Sequence, residues 1–127
     1  MWIAIALHRL PYYELDQISE RADNCVGTDP FHTPPSVHDA IIASAVGEGF
    51  SVAVDVPFAG SLVPRSSYQK DRRILSVRIE VNRRLYMDGR TGQQRQNFVT
   101  VRGAVDQLIV AAAEAAIASG GVQDALC

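Results

Sequence analysis

The chain has 127 residues, a length that fits one domain with a real hydrophobic core. Apolar residues make up 47% and charged residues 20%, which excludes a disordered tail, a collagen-like repeat and a disulfide scaffold. The net charge of −2 conceals an asymmetry. Residues 1–64 carry two basic groups, Arg9 and Arg21, against eight acids, whereas residues 65–102 carry ten basic groups against Asp71, Glu80 and Asp88. Eleven of the twelve basic residues are arginine, with Lys70 the exception. Guanidinium forks suit a small anionic ligand. Nucleic acid is not expected, because the domain is not net basic and no aromatic platforms lie among the charges.

In chain order, residues 2–7 (WIAIAL) form an unbroken apolar run that predicts a strand covered on both faces, ending at His8 before Pro11. The run is too short to cross a bilayer and lacks the flanks of a secretory signal, so a cytoplasmic chain with no membrane partner is expected. Residues 12–23 read as a polar loop, and residues 24–27 as a short second strand. A proline-punctuated loop, TDPFHTPP, leads to a helix that Ser36-Val37-His38-Asp39 would cap and Gly47 and Gly49 would end. Residues 51–56 alternate as a third strand before a loop running to about Arg73. A second clean alternation puts Leu75, Val77, Ile79 and Val81 on one face and Ser76, Arg78, Glu80 and Asn82 on the other. After a polar turn over 89–96, an alanine-rich helix is expected from Thr100, with Val101, Val105, Leu108, Ile109 and Ala112 as its stripe and Gly120-Gly121 as its end.

Strands alternating with helices predict a single α/β domain over 1–127, with a mixed, partly parallel sheet and flanking helices. The chain opens inside a buried-type strand, so one sheet face should be thinly covered. A truncated version of a larger domain, or a chain that covers itself as a homo-oligomer, is expected.

Open α/β sheets bind ligands beyond the carboxyl ends of their strands. His8, Asp55 and the run Glu80-Val81-Asn82-Arg83 are the polar groups at such ends. The spacing leaves two readings of each main candidate. His8 is either a zinc ligand or bonded to a neighbouring carbonyl, and Glu80 is either a base or the ion-pair partner of Arg78. His32 and His38 lie six apart on a loop and a helix, and no HExxH or CxxC spacing exists. Cys25 and Cys127 are too far apart in sequence for a ribbon or redox motif. Neither a phosphate-binding glycine loop nor a Gly-x-Ser-x-Gly elbow occurs.

Two segments carry a resemblance. PFAGSLVPR (57–65) followed by IEVNRRLYMD (79–88), with LHRLP (7–11) and GTD…HTP (27–34) upstream, resembles the later half of the N-formylglutamate amidohydrolase family. The resemblance covers about residues 2–110 and implies a fold similar to the later half of a zinc-carboxypeptidase-like hydrolase. It also implies zinc-dependent release of formate and L-glutamate from N-formyl-L-glutamate. Within that resemblance His8 matches the last zinc ligand and Glu80 the carboxylate that activates water. Asn82 and Arg83, at the same strand end, are candidates for binding the carboxylates of a small dicarboxylate-type substrate, with Arg65 as a further contributor from a variable loop. The family's first two zinc ligands lie upstream of the matched region, so another chain or a complementing N-terminal half is expected to finish the metal site. Ala6 and Arg9 depart from the family's acidic and small hydroxyl residues beside the histidine.

Overall fold

A computed structural model describes residues 2–8 and 21–125, with side chains over 21–120. The elements are β1 (Trp2–His8), β2 (Asn24–Gly27), α1 (Pro35–Gly47), β3 (Val52–Val54), β4 (Ser76–Asn82), a 3-10 turn (Arg83–Leu85) and α2 (Phe98–Ala125). The four strands form one sheet in the order β1-β4-β2-β3. β1 and β4 run parallel over seven register pairs, from Trp2 with Ser76 to His8 with Asn82. β2 enters antiparallel to β4, pairing Cys25 with Glu80 and Val26 with Ile79, and carries β3 parallel on its far side. The expected mixed α/β sheet with flanking helices is the observed architecture.

The alternation of β4 divides the sheet into two unlike faces. Val77, Ile79 and Val81 join Val26 in a buried cluster with Val37, Ile41 and Ala45 of α1 and Val101, Leu108 and Ala112 of α2. Apolar residues at helical spacing along α1 and α2 put both helices on this one face. On the other face Ser76, Glu80 and Asn82 are also buried. Over this face the connection from β3 folds back, the Leu62 carbonyl accepting from the Ser76 hydroxyl and the Phe58 carbonyl from Arg78.

Three local expectations are corrected. Ser36 does not cap α1. The helix starts at Pro35, with Pro34 as its N-cap and no side-chain cap, and the Ser36 hydroxyl instead meets Ser119 of α2 at 3.1 Å. Proline at the first position has its φ preset for the helix and no N–H to satisfy there, which explains the earlier start. The third strand stops at Val54, because Asp55 takes a left-handed φ of 57°. From that turn Asp55 accepts the Thr28 N–H at 2.7 Å and the Thr28 hydroxyl at 2.6 Å. α2 runs through Gly120-Gly121 to Ala125, since glycine costs a helix only about 1 kcal/mol and does not end it alone.

The TDPFHTPP loop is held by a buried histidine. His32 Nδ1 lies 2.7 Å from the Ile74 carbonyl and Nε2 lies 2.9 Å from the Gln69 N–H. A carbonyl only accepts and an amide only donates, so the ring is the Nδ1–H tautomer with both nitrogens engaged. Asp29 Oδ1 accepts the Phe31 and His32 N–H groups from below. His32 is therefore a structural node and not a metal donor.

Candidate functional site

The parallel pair β1–β4 ends at His8 and Asn82, with Glu80 one side-chain repeat inside that end. β1 fixes this placement through its register, in which Ala6 pairs with Glu80 and His8 with Asn82. The His8 ring and residues 9–20 lie outside the described side chains, as does Cys127. The structure thus brings the His8 backbone to the strand end that holds Glu80, Asn82 and Arg83.

Glu80 is 5% exposed. Its Oε1 meets Arg78 Nε at 3.1 Å, which is the ion pair that the alternation allowed. Its register partner Cys25 feels the same carboxylate. Burial pushes the Cys25 thiol up first, and the charge on Glu80 pushes it further, so this cysteine is a protonated filler and not a nucleophile.

Asn82 is spent on the frame. Its Oδ1 accepts the Arg84 N–H at 3.2 Å, capping the 3-10 turn, and its Nδ2 donates to the Ala22 carbonyl at 3.4 Å. Arg83 opens that turn half-buried, with a buried Nε that lacks a hydrogen-bond partner among the described residues. Arg83 also lies close enough to Tyr86 to oppose the rise that burial imposes on the tyrosine hydroxyl. Arg65 is exposed on a turn that starts at Pro64. That turn is pinned by His32 through Gln69, and His32 also holds Ile74 and Ser76 at the other end of β4. Asp55, grouped with these residues by its strand end, belongs to that far end too, because β3 runs against β4.

The rim beside Asn82 is fixed by an ion pair that sequence reading missed. Arg84 meets Asp23 at 2.7 Å, and Asp23 also accepts the Ser51 N–H while its own N–H donates to the Ser51 hydroxyl. Burial alone would raise the Asp23 carboxyl, but the Ser51 amide, the Arg84 guanidinium and the Ser51 hydroxyl together hold it below its usual value of 3.8. A depressed carboxylate stabilises the fold above its unfolded value, and the stability is lost as pH falls through the folded one. Asp23→Asn should therefore cost at most about 1 kcal/mol at pH 7, and the gap should close as pH drops below 3.8. Urea titrations of both proteins across that range check this.

Among the described residues no three His, Cys, Asp or Glu side chains gather into a metal-holding group, and no helix is long and apolar enough to cross a membrane.

A mixed sheet with helices on one face and a buried acid at the end of its parallel pair defines an α/β domain with a strand-end site, the usual place for ligand chemistry in such sheets. The chain belongs to the N-formylglutamate amidohydrolase family, whose sequence pattern matches residues 2–87. In fold it is similar to the N-formylglutamate amidohydrolase of Ralstonia eutropha JMP134, with a TM-score of 0.64 and 22% identity. The match takes in 92% of this chain and 43% of that one, so the chain spans less than half of that protein's length. No curated protein matches the chain.

Proposed function

We propose that the chain serves amide hydrolysis of an N-acyl amino dicarboxylate, N-formyl-L-glutamate being the substrate and formate and L-glutamate the products. In this reading Glu80 takes a proton from the attacking water and returns it to the amine nitrogen as the C–N bond breaks. Arg83, with a guanidinium nitrogen to spare, holds one substrate carboxylate in a two-point contact. Asn82 orients the turn that presents Arg83, and Arg65 approaches from the loop.

Zinc would supply an activated water, and His8 is the donor that the family resemblance gives this chain. The described side chains do not fit zinc by themselves: no group of three donors converges, and the Glu80 oxygen faces a guanidinium. No step above therefore runs through the metal. The remaining donors come from a second copy or a complementing N-terminal half in this reading, and a cytoplasmic setting goes with it.

The observation that supports the reading is the position of Glu80. It lies in the family's matched stretch, buried at the strand end where the β1 register closes on His8. Incubating the chain with N-formyl-L-glutamate, with and without added zinc, should release formate. No release in either condition overturns hydrolysis by this polypeptide. The Arg78–Glu80 pair favours a second reading, an anion-binding module without turnover. That reading expects glutamate-like dicarboxylates to raise Tm, with about 2.7 kcal/mol of stabilisation at a hundredfold excess over Kd.

A further inference from the structure

We propose that Arg78 is a positioning residue for Glu80, and that through Arg78 the charge on Glu80 holds the 57–61 loop down on the polar face of the sheet. The catalytic value of that positioning rests on the role proposed for Glu80; the coupling itself does not.

The guanidinium has two sets of partners. Nε lies 3.1 Å from Glu80 Oε1, while Nη2 donates to the Phe58 carbonyl at 2.7 Å and to the Ala59 carbonyl at 3.3 Å. The planar fork of arginine can serve a carboxylate and two carbonyls at once, and a lysine ammonium cannot do so with the same geometry. Both side chains are largely withdrawn from water, Arg78 at 20% and Glu80 at 5% exposure.

Gly27, the register partner of Arg78, is the floor on which this arrangement rests. A Cβ at Gly27 would collide with the Gly60 carbonyl oxygen and lie 2.9 Å from Arg78 Nε. The absent side chain therefore lets the loop and the guanidinium sit on the same square of sheet. Three further bonds among the described residues seat the loop, Gly60 N–H to the Thr28 carbonyl at 3.0 Å, the Ser76 hydroxyl to the Leu62 carbonyl at 2.6 Å and the Cys25 thiol to the Phe58 carbonyl at 4.0 Å. Phe58 and Ala59 offer Arg78 only neutral carbonyls. The neighbouring Cys25 thiol is held in its neutral form, so among the described residues Glu80 is the negative group paired with the cation. Removing one charge of a withdrawn pair leaves the other poorly compensated, and the loosened guanidinium then releases the loop.

The test is a double-mutant cycle read on one amide. In Glu80→Gln, exchange of the Gly60 N–H measured by NMR should quicken by about tenfold, the size expected for a weakened charged hydrogen bond. In an Arg78→Gln background the same Glu80→Gln change should have little effect on that amide, and in Arg78→Lys an intermediate one. An equal effect in all backgrounds, or no effect in the parent, overturns the proposal. If Arg78→Gln does not fold, the Arg78→Lys background decides alone, and an undiminished effect there overturns it. No metal or substrate enters the measurement. A chain that shows the coupling without releasing formate refutes the hydrolysis and leaves the clamp standing; hydrolysis without coupling does the reverse.

Discussion

Glu80→Gln is expected to cut formate release by about 10²- to 10⁴-fold, a loss of roughly 3–5 kcal/mol of transition-state stabilisation. Glutamine has the same shape and keeps an oxygen for Arg78 Nε, and the backbone of residue 80 stays paired with Ala6 and Cys25 on its two sides. The global fold should therefore persist, with circular dichroism near the parent's, while Tm falls because Arg78 loses its buried counter-charge and the loop over Gly60 exchanges faster. What glutamine cannot do is accept and return a proton. Initial rates of formate release, measured on variant and parent at equal zinc, check the prediction. A variant that retains the parent's rate moves the proton transfer to another group.

The largest structural effect is expected at Ile79. The residue is fully buried in β4, a strand paired on both edges, and its register neighbour Val26 is equally buried. It shares a cluster with Ile41 of α1 and Leu108 of α2, so this one side chain helps bind both helices to the sheet. Ile79→Ala removes apolar contact and leaves a void that the paired strand cannot collapse to fill, a cost of about 2–5 kcal/mol. Against a total stability of about 5–15 kcal/mol, that is a large fraction. Ile79→Val, which removes a single methyl, should cost about 0.5–1.5 kcal/mol. Urea midpoints with an unchanged slope check both. A loss well under 1 kcal/mol for the alanine variant would show that the helices are not seated on this row.

The sequence was readable where one interaction dominates. The two-residue period of β4 settles which of its side chains face the helices, because burying the wrong set would expose every valine and isoleucine at once. The same period placed Arg78, Glu80 and Asn82 on one face, and the structure keeps them there. Segment order was less legible. Asp55 was grouped with Glu80 as a strand-end residue, but strand direction is a tertiary property, and β3 runs against β4. The clamp on Thr28, the Gly27 floor and the Asp23–Arg84 pair join residues far apart in the chain, and no local period records them. The glycine pair in α2 misled for a related reason, since propensity is a weak vote against a helix already packed over Val101, Leu108 and Ala112. Of the candidate site, Glu80 and Arg83 were legible as residue types at a strand end, whereas the occupation of Asn82 by the Arg84 and Ala22 backbones was not.

The returning loop acts as a ruler laid along β4. It touches Ser76 through Leu62 and Arg78 through Phe58 and Ala59. Side chains on one face of a strand repeat at about 6.6 Å, and the Phe58 carbonyl also meets the Cys25 thiol at 4.0 Å, level with Glu80 on the neighbouring strand. The surroundings of this acid are thus set by a segment that begins at the opposite end of the sheet, where β3 runs against β4.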